Sequence, residues 1–128
     1  MRKSSPDLEQ LFRALADTTR LRLLNLMHGR EICVCYLVEV LDVSQPKISR
    51  HLAYLRRAGV VSARREGKWM HYRLASPSSR HAARILEMTL DSLSREVQMQ
   101  RDLQRLNSAC CGAESLVQVI GAPLPSRV

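Results

Sequence analysis

A chain of 128 residues has room for one globular domain with tails and is too short for two ordinary domains. Its hydrophobic fraction of 45% excludes disorder throughout, and no apolar run approaches the ~20 residues of a membrane span. Lys and Arg number 20 against 12 Asp and Glu, a formal charge of +8, which favours an acidic partner. Met1 to Pro6 leads into no signal-peptide core, so the expectation is a soluble cytoplasmic protein in a reducing compartment. There the four cysteines would bind metal or react rather than pair as structural disulfides.

Ser5-Pro6 opens a first helix with an apolar stripe of Leu8, Leu11, Phe12, Leu15 and Ala16. Asp17 caps a second, whose Leu21, Leu24, Leu26 and Met27 crowd more than half its circumference, so it belongs in the core; Gly29 stops it. Glu31 to Leu41 reads as a short helix on the spacing of Leu37, Val38 and Leu41. Asp42-Val43-Ser44 breaks it, and Ser44 with Pro46 begins another helix that buries Ile48, Leu52 and Leu55 and ends at Gly59. Val60 to Arg65 and Lys68 to Leu74 are strand-like and joined by Glu66-Gly67, a basic hairpin.

Ser76-Pro77 repeats the cap signature ahead of some thirty residues without Gly or Pro, which predicts one long helix. Leu86, Leu90, Leu93 and Val97, then Met99, Leu103 and Leu106, run along it with a shift of phase between the two sets, a stripe that wants a partner helix. Gly112 to Val128 has little pattern. The expected organisation is therefore one domain over 1–108 and a mostly flexible tail over 109–128 that carries Cys110 and Cys111.

The charge is concentrated. Ser44 to Arg73 holds Lys47, Arg50, Arg56, Arg57, Arg64, Arg65, Lys68 and Arg73 against Glu66 alone, eight cations to one carboxylate and all but one unit of the net charge. Two short helices with a tight break, a polar and basic face on the second, and a basic hairpin directly after it make a winged helix-turn-helix, mainly α with a β-hairpin wing. Gln45, Lys47, Ser49, Arg50 and His51 have the chemistry to read base edges in a major groove, and Ser44 could meet a phosphate while capping the helix. Arg64, Arg65 and Lys68 at the wing would meet backbone or minor groove, positioning the protein without reading sequence. Tyr54, Trp69 and Tyr72 are expected to pack rather than stack on bases, and His81 to lie on the surface.

Leu15-Ala16-Asp17-Thr18-Thr19-Arg20-Leu21-Arg22-Leu23-Leu24, Glu31-Ile32-Cys33-Val34-Cys35-Tyr36-Leu37 and Ser44-Gln45-Pro46-Lys47-Ile48-Ser49-Arg50-His51-Leu52 resemble the ArsR/SmtB family of metalloid-responsive repressors, over about Leu8 to Leu106. The resemblance implies a transcriptional repressor, a dimer built from the first and last helices, and inverted-repeat operator DNA from which an inducer releases it. The Cys-Val-Cys motif implies the arsenic and antimony or the cadmium and lead branch, with no organic cofactor.

Trivalent arsenic and antimony are thiophilic and take three thiolates in a pyramid. Cys33 and Cys35 supply two, but positions i and i+2 of a regular helix lie about 200° apart, so both face one ion only if the helix start is loose or distorts on binding. The family's third nearby Cys is missing, since Tyr36 to Glu39 follows, which leaves Cys110 and Cys111. Three readings stay open: a three-thiolate As(III) or Sb(III) site completed by Cys110 or Cys111, a two-thiolate site for a methylated arsenical, and a four-thiolate Cd, Pb or Zn site. Thiol oxidation could also release DNA. A small thiol-dependent arsenate reductase is the enzymatic alternative; no anion loop surrounds any Cys, so the expectation is a protein that is not an enzyme.

Overall fold

The computed structural model describes residues 4–111 and 115–128. Helix α1 (Ser4–Leu15) leads through Asp17 into α2 (Thr18–Met27). Asp17 caps α2 as its sequence position predicts, its Oδ1 accepting the Arg20 N–H at 3.0 Å. Leu23, Leu24, Leu26 and Met27 are fully buried, which makes α2 the centre of the core. Each such side chain contributes about 1.5–3 kcal/mol by leaving water.

Gly29, at φ 78°, turns the chain out of α2 into β1 (Arg30–Cys33), and α3 (Val34–Leu41) starts only after it. The helix expected from Glu31 is thus a strand for its first three residues. Edge pairing with β3 satisfies its backbone while the β-branched Ile32 goes into the core. Asp42 then takes the left-handed conformation (φ 55°, ψ 45°), which a short polar side chain tolerates, and swings the chain into α4 (Gln45–Arg57). Strands β2 (Val61–Glu66) and β3 (Trp69–Leu74) pair antiparallel in register from Val61–Leu74 to Glu66–Trp69, so the turn is Gly67-Lys68, one residue later than expected.

The single long helix foreseen after Ser76-Pro77 is two. Ser79 caps α5 (Arg80–Leu93), and the chain turns at Ser94-Arg95-Glu96 into α6 (Val97–Cys111). The break sits where the apolar stripe shifts phase. Leu86, Leu90 and Leu93 follow one line, whereas Met99 and Leu106 are buried by folding α6 back against α2 and α3. Arg22 of α2 forks onto Asp102 of α6 at 2.7 and 2.9 Å, and the Asn25 side-chain amide donates to the Met99 carbonyl at 3.1 Å.

The segment expected to lack pattern has regular structure in its described part: α7 (Leu116–Ile120) and β4 (Ser126–Arg127). β4 pairs antiparallel with β1, giving the sheet order β2-β3-β1-β4, and Ala122 is buried with its carbonyl accepting the Tyr36 hydroxyl at 3.4 Å. Among the described residues no helix is long and apolar enough to cross a membrane.

Candidate nucleic-acid interface and thiol site

Ile48, Leu52 and Leu55 fix α4 to the core, which leaves Ser44, Gln45, Lys47, Ser49 and Arg50 exposed on its outer side. Ser44 stands at the N-cap position but its hydroxyl makes no cap bond. His51 is different: it is half-buried, with Nδ1 3.3 Å from Arg20 Nη1 and 4.0 Å from Asp17 Oδ1, so it faces α2 rather than the outer side. Arg20 is the staple there, donating to the Ala14 and Arg13 carbonyls at 2.8 and 2.9 Å and lying 4.3 Å from the Tyr54 ring centre. Tyr54 and the buried Tyr72 therefore pack, as expected, and His81 is exposed.

At the wing, Arg65 and Lys68 are exposed, and Lys68 Nζ rests 5.0 Å from the Trp69 ring centre. Arg64 reaches back instead, forking onto Glu31 of β1 at 2.6 and 3.2 Å. That contact holds the Glu31 carboxyl below its ordinary range, the hydrogen bond from Arg64 outweighing burial. Glu31 was not singled out from sequence, because its role needs the strand register that places it two residues from Cys33 on one face of β1. Glu31→Gln should release Arg64 toward phosphate. The expected result is DNA binding tightened several-fold and a salt dependence steeper by about 0.9 per added contact, read by titration at several salt concentrations.

The two thiols of the Cys-Val-Cys motif meet. Cys33 is the N-cap residue of α3 in extended conformation (φ −69°, ψ 144°) and Cys35 lies in the first turn, so the 200° separation of a continuous helix does not arise. Their sulfurs are 3.1 Å apart, Cys35 donating to Cys33, and Cys33 is buried while Cys35 is half-buried. No unwinding is needed to bring them to one ion. The hydrogen bond from Cys35 pulls the Cys33 thiol down to about 6 against the opposing effect of burial, with further help from His71; the same bond and burial push Cys35 upward. His71 pairs with both Cys33 and Arg64 in the sheet, and its Nε2 is 3.0 Å from Glu66 Oε1.

The opposed shifts favour a pair that shares one proton, Cys33 giving up its own first. In a chain carrying Cys110→Ser and Cys111→Ser, thiolate ultraviolet absorbance should titrate with a first midpoint near 6. Cys35→Ala, which removes the donor, should move that midpoint toward the ordinary value of about 8.5.

Cys33 and Cys35 line a cavity of about 400 Å³ whose other walls include Gln45 of α4, Lys68, Trp69 and Met70 of the wing, and Leu116 and Ile120 of α7. Cys110, half-buried on α6, lines a different cavity with Arg30 and Leu124. Arg30 and Cys33 are the two ends of β1, about 10 Å apart at ~3.3 Å per residue. The backbone of Cys111 ends α6; its side chain lies outside the described residues. Among the described residues no three His, Cys, Asp or Glu side chains are arranged to hold a metal ion.

Residues 17–63 match the model of the family described as bacterial regulatory protein, arsR family. An arsenical resistance operon repressor of Escherichia coli is 47% identical over 105 residues, which are 80% of this chain and 88% of that protein. Among solved structures, HlyU from Vibrio cholerae superposes with a TM-score of 0.62 at 32% identity, over 74% of this chain and all of that one. A homodimeric winged helix-turn-helix DNA-binding domain from Mycobacterium bovis gives 0.58 at 26% identity, over 70% of this chain and 80% of that one. The α3–α4 pair and the β2–β3 wing are thus a DNA-binding module of transcription regulators and not the frame of an enzyme, and this chain belongs to the arsR family of bacterial regulatory proteins.

Proposed function

We propose that the chain is a homodimeric repressor that binds inverted-repeat operator DNA and is released when trivalent arsenic or antimony binds Cys33 and Cys35. The observation that carries this reading is the shared cavity: two sulfurs 3.1 Å apart stand in one chamber with the first residue of α4 and the tip of the wing. An ion there would change the chamber that both DNA-contacting elements share, which offers the differential contact that a coupling free energy between two sites requires. Soft thiolates favour As(III) and Sb(III), and the similarity to an arsenical resistance operon repressor supports the same choice. Cys110 and Cys111 are the remaining thiols that could complete a three-thiolate site. With Cys110 beyond β1, that requires movement of the C-terminal segment or a thiol from the partner protomer.

Ser44, Gln45, Lys47, Ser49 and Arg50 would enter the major groove, and Arg65 and Lys68, joined by Arg64 once it leaves Glu31, would hold backbone or minor groove. His51 supports this face from behind through Arg20. Support for the dimer comes from the α1–α5 side, where Phe12 and Met88 are 52% and 69% exposed and border an apolar groove with Leu15, Leu21, Ile85 and Leu93.

The test is anisotropy of a labelled promoter fragment with reduced protein, titrated with arsenite, antimonite, cadmium and zinc. Release by arsenite or antimonite at concentrations where zinc does nothing is expected; release by zinc or cadmium alone would overturn the inducer assignment. Arg50→Ala should lose about 1–3 kcal/mol of discrimination between operator and scrambled DNA if Arg50 reads a base, and weaken both alike if it meets only phosphate.

A further inference from the structure

Arg30 opens β1 and pairs across the sheet with Arg127 of β4, so two arginines stand directly opposite each other on one face. Side chains so placed lie about 4.5–5.5 Å apart at Cβ, and like charges there repel. Alternation along β1 puts Arg30 with the buried Ile32, on the face away from Glu31 and Cys33. Arg30 is half-buried and donates from Nη1 to the Leu26 carbonyl at 2.7 Å, which uses one of a guanidinium's five N–H groups. Among the described residues neither arginine forms an ion pair with a carboxylate, and burial lowers the Arg30 pKa more than Cys110 restores it. Beside the pair lies a cavity of about 390 Å³, walled by Leu103 and Leu106 of α6 and by Leu124 and Pro125. Arg30 and Pro125 also line an adjoining hollow with Arg127, so Arg30 stands between the apolar cavity and the second cation.

We propose that Arg30 and Arg127 hold the carboxylate of a small organic anion whose apolar body fills the cavity between α6 and Leu124-Pro125. Charge decides the head group. A carboxylate accepts two parallel N–H bonds from one guanidinium and relieves the repulsion between both. The cavity decides the body: its volume falls in the range of small-molecule sites and four aliphatic side chains wall it, so a bare inorganic anion would leave it unfilled. A fused aromatic ring buries its face there, which is favourable in proportion to the area removed from water. The anion also ties β4 to β1, because it bridges facing residues of the two strands. Neither thiol of the Cys-Val-Cys pair takes part, so the site stands apart from the inducer reading.

The reduced full chain is titrated by calorimetry with naphthylacetate, its neutral amide naphthylacetamide, and acetate. Naphthylacetate should bind once per chain, at least tenfold more tightly than either the amide or acetate. Arg127→Gln, at an exposed position, and Arg30→Gln, which keeps a donor for the Leu26 carbonyl, should each weaken naphthylacetate at least fivefold and leave the amide within twofold. Leu124→Asp, at a position 60% exposed and so tolerant of charge, should weaken naphthylacetate at least fivefold from the other end of the ligand. Cys33→Ser with Cys35→Ser should bind it as the parent chain does. No binding of naphthylacetate, equal binding of acid and amide, or affinity undiminished in both arginine variants would overturn the proposal. Acetate bound as tightly as naphthylacetate, or affinity undiminished in Leu124→Asp, would overturn the assignment of the apolar body to this cavity.

Discussion

Cys33→Ser together with Cys35→Ser should leave operator affinity within about twofold while raising the arsenite concentration needed for release by at least about a hundredfold. Cys33 belongs to the core cluster and Cys35 packs against it, but the substitution is close to isosteric, so the α3–α4 pair keeps its geometry. What disappears is the ligand chemistry. A hydroxyl is neither soft nor ionised near neutrality, whereas the Cys33 thiol is pulled toward the thiolate by its neighbour's hydrogen bond and by His71. A hundredfold change corresponds to about 2.8 kcal/mol, within the typical 1–3 kcal/mol of coupling between two linked sites. Single variants sharpen the point. Cys35→Ala removes both a ligand and the bond that lowers Cys33, so it should cost at least as much as Cys33→Ser. Promoter-fragment anisotropy across an arsenite series reads all of them, and a double variant that still releases at the original concentration would move the site elsewhere.

Arg22→Ala should cost about 3–5 kcal/mol of stability. Asp102 is wholly buried, and its carboxylate is neutralised by the two guanidinium hydrogen bonds at 2.7 and 2.9 Å, with the Gln98 amide at 3.0 Å as the other donor. Asp102 in turn raises the Arg22 pKa, chiefly through that hydrogen bond. Without Arg22 a buried charge is left with one neutral donor, and against a typical total of about 5–15 kcal/mol the loss is large. Since α6 is tied to α2 by this fork and by Asn25, its C-terminal end, which carries Cys110, should loosen first. Urea unfolding at fixed protein concentration measures the loss. The exposed Glu9–Arg13 pair is the control, where Arg13→Ala should change stability by less than about 1 kcal/mol. A loss below about 1 kcal/mol for Arg22→Ala would mean that α6 is held by its apolar face alone.

Much of the fold was legible because local signals agreed with one another. Asp17 caps α2 where it stands in sequence, the crowded apolar positions of α2 do fill the core, and the basic hairpin after the second short helix is the wing. The misreadings share a cause. A strand of a few residues before a helix carries too little periodicity to separate from it, so β1 was absorbed into α3. The turn after α5 has no Gly or Pro, and only the phase shift between Leu93 and Met99 marked it. β4 exists because β1 offers it an edge, which no window of the tail's own residues encodes.

The site divides in the same way. The Cys-Val-Cys spacing drew attention to the two thiols, and its apparent helical mismatch vanished because Cys33 is a cap residue. Glu31 and His71 escaped notice because their partners, Arg64 and Cys33, are neighbours only across the sheet. Arg22 and Asp102 are 80 residues apart in sequence, and each alone reads as a surface charge. His51 belonged by sequence to the recognition face and is turned to Arg20 by the rotation of α4 on its buried stripe.

Arsenic bound at the thiol pair should by itself dislodge DNA. This is tested most directly by following Trp69 emission and the anisotropy of labelled operator in one cuvette as arsenite is added to the reduced complex. The two signals should change together, with one midpoint and one arsenic per chain. Saturation of the Trp69 signal while the operator stays bound would contradict it.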